Sequence, residues 1–274
     1  MNQYHPLVAL YILRDYCMKK LPMKNNLIIA IPNKGRLEQD TQNIFSSHNM
    51  EITRGKGDRE YSGKIMELSG VDVVFLSPKE ITLELLKGTI DLGVTGLDLV
   101  HENIYDTENN VAMAHNLGFG FADVVIAVPV SWIDVISLED LEDTIYNFRL
   151  TNKKRLRIAT KYPKISREFF VNKGFSDYIL VDSHGATEGA PAYGAAEIII
   201  DITSTGSTLK ANQLKKLDSG TILESQACIF ASVNSAWNKP KLYTLRKILG
   251  LLKVDKDSVA NTENKILSFQ KKPL

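Results

Sequence analysis

The chain has 274 residues, with 33 Lys and Arg against 32 Asp and Glu, a formal net charge of +1, and 44% hydrophobic residues. That length allows one large or two modest domains, and the composition is that of an ordinary globular protein. The balanced charge argues against a general nucleic-acid binder, and no apolar run approaches the roughly 18 residues of a membrane span, so neither partner is expected.

Residues 1–23 contain PLVALYIL, soon interrupted by Arg14, Asp15, Lys19 and Lys20 and without a small-residue cleavage site. The segment reads as an N-terminal extension without fixed structure rather than a signal peptide, with Met18 and Met23 as alternative starts. From Leu27 onward short apolar runs alternate with helical periodicities, the mark of βα units around mostly parallel sheets, so the class is α/β. The run 27–32 (LIIAIP) predicts a strand. A helix follows the loop NKG, with Leu37, Thr41, Ile44 and Phe45 on one face. VDVVFL (71–76) predicts a second strand, and Ser77-Pro78-Lys79-Glu80 is a capping box opening a helix that Gly88 closes. IDLGVTG continues the pattern, and ADVVIAVP (122–129) is apolar enough to be buried on both faces.

The second half repeats the rhythm with strand 155–160, an amphipathic ISREFFVNK closed by Gly174, and strand YILVD (178–182). EIIIDI (197–202) reads as a central strand and LKANQLKKL as a helix. ILESQACIFAS (222–232) reads as one returning strand, and KLYTLRKILGLLKV as a closing helix. The polar stretch 254–274 is expected to be a loose tail.

Chemistry concentrates at Asp201-Ile-Thr-Ser-Thr-Gly-Ser-Thr208, between a buried strand and a helix start. Gly206 permits a tight turn, backbone amides face the positive end of a helix, and Thr205, Ser207 and Thr208 add hydroxyl donors, a cup suited to a phosphate monoester. It is not a Walker loop, because GxxxxGK[ST] is missing. Asp201 is placed to accept hydrogen bonds from ribose hydroxyls. The bland alternative is a Ser/Thr cap after a core strand. Lys34-Gly35-Arg36 puts two cations at the unfavourable amino end of a helix, where an anionic ligand would compensate them; plain solvent exposure is the alternative. Thr95, Gly96 and Asp98, and Lys161 with Tyr162, lie just past predicted strands, where open α/β sheets bind ligands, though each alone reads more simply as a turn. Glu188, in ATEGAP, lies close to the loop in sequence. The basic run Lys153–Arg157 reads as a solvated strand entrance, and Gly118-Phe119-Gly120 as a hinge or turn. The two cysteines are far apart and the histidines at 5, 48, 101, 115 and 184 have no ligand spacing, so no metal site is indicated.

PNKGRL (32–37), GTIDLGVTGLDLV (88–100), LGFGFADVVIAVP (117–129), RIATKYP (157–163) and EGAPAYGAAEIIIDITSTGSTLKAN (188–212) occur in order. With them the chain resembles the ATP phosphoribosyltransferases across roughly Asn26 to Ser232. The opening and ATEGAP look most like alphaproteobacterial members of the short form. Glu197, where much of the family has Asp, is a departure. The resemblance implies a two-lobed periplasmic-binding-protein-like architecture: a first catalytic domain over 24–120 plus 221–253, a second over 121–220, and the active cleft between them. It implies a cytoplasmic, Mg²⁺-dependent transfer of the phosphoribosyl group of phosphoribosyl pyrophosphate to N1 of ATP, opening histidine biosynthesis. By analogy Glu188, Asp201, Thr205, Gly206, Ser207 and Thr208 hold the ribose 5-phosphate. Lys34, Arg36 and Lys161 serve the anions, and Thr95, Gly96, Asp98 and Tyr162 meet ATP. Mg²⁺ is carried mainly by the substrate. The short form further implies a homodimer that is weakly active alone, joined by a regulatory subunit related to histidyl-tRNA synthetase. An ATP-binding regulatory module and a two-lobed solute-binding protein without turnover are the alternatives.

Overall fold

A computed structural model describes residues 25–55, 61–183 and 185–270. The extension expected over 1–23 lies outside the described residues, as does His184. The elements, in chain order, are β1 (Leu27–Pro32), α1 (Gly35–Ser47), β2 (Ile52–Arg54), β3 (Ser62–Ile65), β4 (Val71–Leu76), α2 (Pro78–Lys87), β5 (Leu92–Gly96), α3 (Leu97–Asn103), α4 (Thr107–Asn110) and β6 (Val111–Asn116). There follow β7 (Ala122–Pro129), α5 (Leu138–Asn152), β8 (Leu156–Thr160), α6 (Pro163–Asn172), β9 (Tyr178–Asp182), a 3-10 turn (Thr187–Gly189), β10 (Ile198–Thr203), α7 (Ser207–Ala211), β11 (Leu214–Ser225), β12 (Ala227–Ser232), α8 (Lys239–Leu251) and α9 (Lys256–Gln270).

The chain is α/β and divides into two compact units. The first holds the described residues up to Thr95, Asp106–Leu117 and everything from Cys228; the second holds Gly96–Tyr105 and Gly118–Ala227. In the first unit a seven-stranded sheet runs β2-β3-β4-β1-β5-β12-β6. Its centre, β4-β1-β5, is parallel, while β2 and β3 pair antiparallel, as do β12 and β6. Ser77 and Glu80 form the expected capping box of α2, and Gly88 closes it in the left-handed region at φ 72°. A Cβ at Gly88 would meet the Asn234 carbonyl oxygen at 2.5 Å, so close approach as well as φ demands glycine there.

In the second unit the order is β11-β7-β10-β8-β9, parallel across β10-β8-β9 and antiparallel where β7 meets β10 and β11. Val124, Ile126 and Val128 of β7 pack with Ile158, Ile198, Ile200 and Phe170 in one cluster, whereas Val125 and Ala127 pack with Ala159, Ile199 and Leu209 in another. The period-two alternation therefore sends apolar side chains to both faces, and β10 is the central strand as its continuous apolar run requires. Residues 97–103, which the expected boundaries put in the first domain without a helix, form α3 and belong to this second unit.

Three sequence expectations are corrected. LKANQLKKL is not a helix: α7 ends at Ala211, Gln213 adopts φ 55°, and β11 begins at Leu214, burying Leu214 and Leu217. The run 222–232 is not one strand but the end of β11 and all of β12, which belong to different sheets. The stretch expected as a loose tail is largely the fifteen-residue helix α9. Asp255 accepts the Ser258 amide at 2.8 Å at its start, Thr262 and Ile266 are buried along it, and Gln270 donates to the carbonyls of Val233 and Ser235. Helix α5 and the strands β2, β3 and β6 lie outside the elements expected from the sequence.

Candidate functional site

Strand β10 delivers Asp201, 6% exposed, to the edge of the core and then releases the chain into the Thr-Ser-Thr-Gly loop. Gly206 sits at φ 73° and ψ 0° as the residue before α7. Its amide donates to the Thr203 hydroxyl at 2.9 Å, which closes the turn from inside. Thr205 Oγ1 donates to Ser207 Oγ at 2.9 Å, and Thr205, Ser207 and Thr208 are exposed. Beyond its immediate chain neighbours, nothing lies within 4 Å of where a Cβ at Gly206 would stand, so glycine is favoured here by backbone conformation rather than by crowding, and the space above it is open.

Lys161 follows β8, the neighbour of β10, and its Nζ lies 3.1 Å from Asp201 Oδ1. The pair places one carboxylate and one cation beside the hydroxyl cup. Glu188 lies in the 3-10 turn and is partly exposed, while Thr187 next to it is buried and shares a 2.7 Å hydroxyl contact with Ser183.

The residues just past β5 and β8 have a different character. Asp98 and Tyr162 are 6% and 4% exposed, and the Tyr162 hydroxyl donates to Asp98 Oδ2 at 2.9 Å. Ser225 donates to Asp98 Oδ1 at 2.8 Å, and the Asp98 amide donates back to Ser225 Oγ at 3.0 Å. Burial, reinforced by the Asp98 charge, pushes the Tyr162 phenol far above its ordinary range, so it stays a neutral donor. A Cβ on Gly96 would come 2.3 Å from Asp98 Oδ1, so a bare glycine is needed for this carboxylate to fold back. Thr95 is fully buried and donates to the Pro78 carbonyl at 2.9 Å. The polar side chains expected to meet ATP from this set are thus engaged with protein partners.

Helix α1 carries the other cations. Lys34 precedes it in extended conformation with no side-chain cap, Gly35 turns at φ 77°, and Arg36 is 92% exposed, 3.5 Å from Asp40. Sequence reasoning missed Arg54. It donates to the Asn33 carbonyl at 3.0 Å and to Glu38 at 2.5 Å, and stacks over Phe75 at 3.9 Å. Its distance along the chain hides it, although a basic residue ending a short strand is a weak signal. Glu197, the departure noted above, accepts the Arg157 amide at 2.7 Å and its guanidinium at 2.6 Å. Burial raises that carboxyl, but the Arg157 bonds and charge outweigh it and hold the group below the usual glutamate range. Among the described residues no three His, Cys, Asp or Glu side chains cluster as metal ligands, and no helix is long and apolar enough to cross a membrane.

Comparison with known proteins gives a consistent answer. Residues 77–253 match the family model described as HisG, ATP phosphoribosyltransferase. A protein of Nitrobacter winogradskyi named ATP phosphoribosyltransferase is 47% identical over 227 residues, covering 83% of this chain and 70% of the relative. One of Bradyrhizobium diazoefficiens with the same name matches to the same extent. Among solved structures, the ATP phosphoribosyl transferase (HisG:HisZ) complex from Thermotoga maritima aligns with a TM-score of 0.62 at 23% identity, covering 86% of this chain and 99% of that one, which establishes a shared fold.

Proposed function

We propose, from the premise that the chain belongs to the ATP phosphoribosyltransferase family, that its Asp201–Thr208 loop holds the ribose 5-phosphate of phosphoribosyl pyrophosphate. The family's reaction is the first step of histidine biosynthesis: the phosphoribosyl group passes to ATP and pyrophosphate leaves. The observation that carries this reading is the turn at Gly206, with exposed hydroxyls at Thr205, Ser207 and Thr208 standing beside the Lys161–Asp201 pair. The hydroxyls and first-turn amides of α7 suit three phosphate oxygens, and Asp201 suits the neighbouring ribose hydroxyls. Glu188 is assigned to the same sugar.

Adenine N1 already has a lone pair, so the transfer at the ribose carbon calls for no nucleophilic side chain. What the protein supplies is placement of two polyanions and stabilisation of charge as the ribose–pyrophosphate bond breaks. Lys34, Arg36 and Lys161 are assigned to those anions, and Arg54 supports the first two through the Asn33 carbonyl. For ATP, Gly96 contributes indirectly, since the space beside it is taken by the Asp98 carboxylate. Thr95, Asp98 and Tyr162 shape its surroundings from within rather than by free side chains. Mg²⁺, when bound, neutralises pyrophosphate charge. Asp201, paired with Lys161, and Glu188 are the carboxylates of this set that would offer an oxygen to an ion arriving with the substrate.

The same reading makes the chain a cytoplasmic catalytic subunit of the short form. By the family resemblance it forms a homodimer alone and is regulated by a histidyl-tRNA-synthetase-like subunit; the Thermotoga maritima neighbour is itself described as a HisG:HisZ complex. The test is ultraviolet absorbance after mixing the chain with ATP, phosphoribosyl pyrophosphate and Mg²⁺, because substitution at N1 changes the adenine chromophore. No change, with or without the regulatory partner, would refute the reading. Titrating histidine with and without that partner tests the regulatory part: full histidine sensitivity of the chain alone would defeat it.

A further inference from the structure

Helix α3 carries two carboxylates, Asp98 and Glu102, four residues apart and therefore on one face. Both are directed at the residues immediately after Lys161. Asp98 holds the Tyr162 hydroxyl, as described. Glu102 accepts the amide of Lys164 through Oε1 at 3.0 Å and the amide of Ile165 through Oε2 at 3.0 Å. These are first-turn donors of α6 that have no intrahelical partner, and Pro163 ahead of them offers none. The contact is reciprocal: Lys164 Nζ donates to the carbonyls of His101 at 2.5 Å and Ile104 at 3.1 Å, at the negative end of α3.

A local cap would normally come from a short polar side chain at position 162. Here that position is Tyr162, which makes no cap bond, and the capping anion comes from another helix. Using Glu102 has a cost, since burial pushes its carboxyl up while the two amide bonds draw it down. What the arrangement secures is the path of the chain at 162–165, one residue beyond Lys161. Lys161 is a long side chain, 44% exposed, whose only ion pair among the described residues is with Asp201, so its placement depends on where its backbone is held.

We propose that Glu102 is a positioning residue, which by clamping the start of α6 presents Lys161 to Asp201 and to the phosphoribosyl substrate. The inference rests on the reading of the Asp201–Thr208 loop given above. A double-mutant cycle tests it, with the KM for phosphoribosyl pyrophosphate and the thermal midpoint measured for Glu102→Ala, Glu102→Gln, Lys161→Ala and the double variants. Loss of one charge-assisted contact predicts that Lys161→Ala raises KM about ten-fold. Glu102→Ala should raise KM comparably and Glu102→Gln, which keeps one acceptor oxygen, less. In the Lys161→Ala background the Glu102 changes should add nothing further, because the group they position is gone. Multiplicative effects, or a lowered midpoint with unaltered KM, would reduce Glu102 to a structural cap and overturn the inference alone. An unaltered KM in Lys161→Ala would overturn the site reading together with it. Should Glu102→Ala fail to fold, the Glu102→Gln arm of the cycle decides.

Discussion

Gly206 separates the conformational from the functional demands on the proposed phosphate loop. It stands at φ 73° with nothing beyond its immediate chain neighbours within 4 Å of where a Cβ would stand, so Gly206→Ala meets no clash and carries only the cost of a left-handed L-residue. That cost is about 1–2 kcal/mol. At about 2–4 °C per kcal/mol for a chain of this order of size, the thermal midpoint should fall by about 2–8 °C. Gly206→Asn, which tolerates the left-handed region better, should recover much of the loss. Activity should behave differently. On the proposed reading the phosphate approaches through the open space beside Gly206, so either side chain would obstruct it, and the loss of even one good phosphate contact implies a KM for phosphoribosyl pyrophosphate raised about ten-fold or more. The assay is the adenine absorbance change at limiting phosphoribosyl pyrophosphate, run beside a thermal melt. A Gly206→Asn protein that melts near the wild type and keeps wild-type KM would refute the loop's assignment. One that melts near the wild type and loses substrate would support it.

Arg36→Ala should lower kcat/KM while leaving the thermal midpoint nearly unchanged. The guanidinium is 92% exposed, and its 3.5 Å contact with Asp40 is an exposed pair worth at most about 0.5 kcal/mol. Marked destabilisation with unaltered kinetics would return Arg36 to a structural role. Glu197→Gln should lower the midpoint at neutral pH and converge on the wild type in acid. Arg157 holds the folded-state carboxyl below its ordinary value of 4.5, so its contribution is present above that pH and fades as pH falls through the depressed value. Melts between about pH 7 and about pH 3 that stay parallel would contradict this. Truncation after Val254 removes α9 and uncovers the Thr262 and Ile266 contacts, so the shortened chain should melt earlier or aggregate; an unchanged melt would restore the loose-tail reading.

Apolar continuity made β7 and β10 legible, because a strand with side chains packed on both faces has no polar position to interrupt it. Glycine and proline chemistry made α2 legible to the residue. Helix α9 was not, since its burial rests on few side chains, Thr262 and Ile266 foremost, within a polar sequence. Its anchoring bonds, Gln270 to Val233 and Ser235, depend on residues distant in the chain. The end of α7 was hidden for another reason. Leu214 and Leu217 are three apart, a spacing that suits a helix, and the turn is made by Gln213 at φ 55°, a residue that carries no turn signal of its own.

The candidate site divides along the same physical line. Gly206 and the hydroxyls around it announce themselves locally, because a glycine turn after a buried strand has a characteristic sequence whatever lies opposite, whereas Lys161 reads only weakly, as part of a turn past a strand. Ser225, Glu102 and Arg54 do not: Ser225 meets Asp98 across 127 positions, and Glu102 meets Lys164 across 62. Pairings of that separation leave no pattern in one sequence. They also decide how Asp98 and Tyr162 act. Position just past a strand suggests that both face a ligand, yet each spends its polar atoms on the other or on Ser225 in a buried cluster. In such surroundings a carboxylate must be fully hydrogen-bonded before any ligand arrives, since an unpaired buried charge costs far more than one contact returns. Asp98 is therefore suited to fixing the loop that carries Lys161, whose own side chain is 44% exposed beside Asp201 and, on the proposed reading, is the group in this cluster left to meet a substrate.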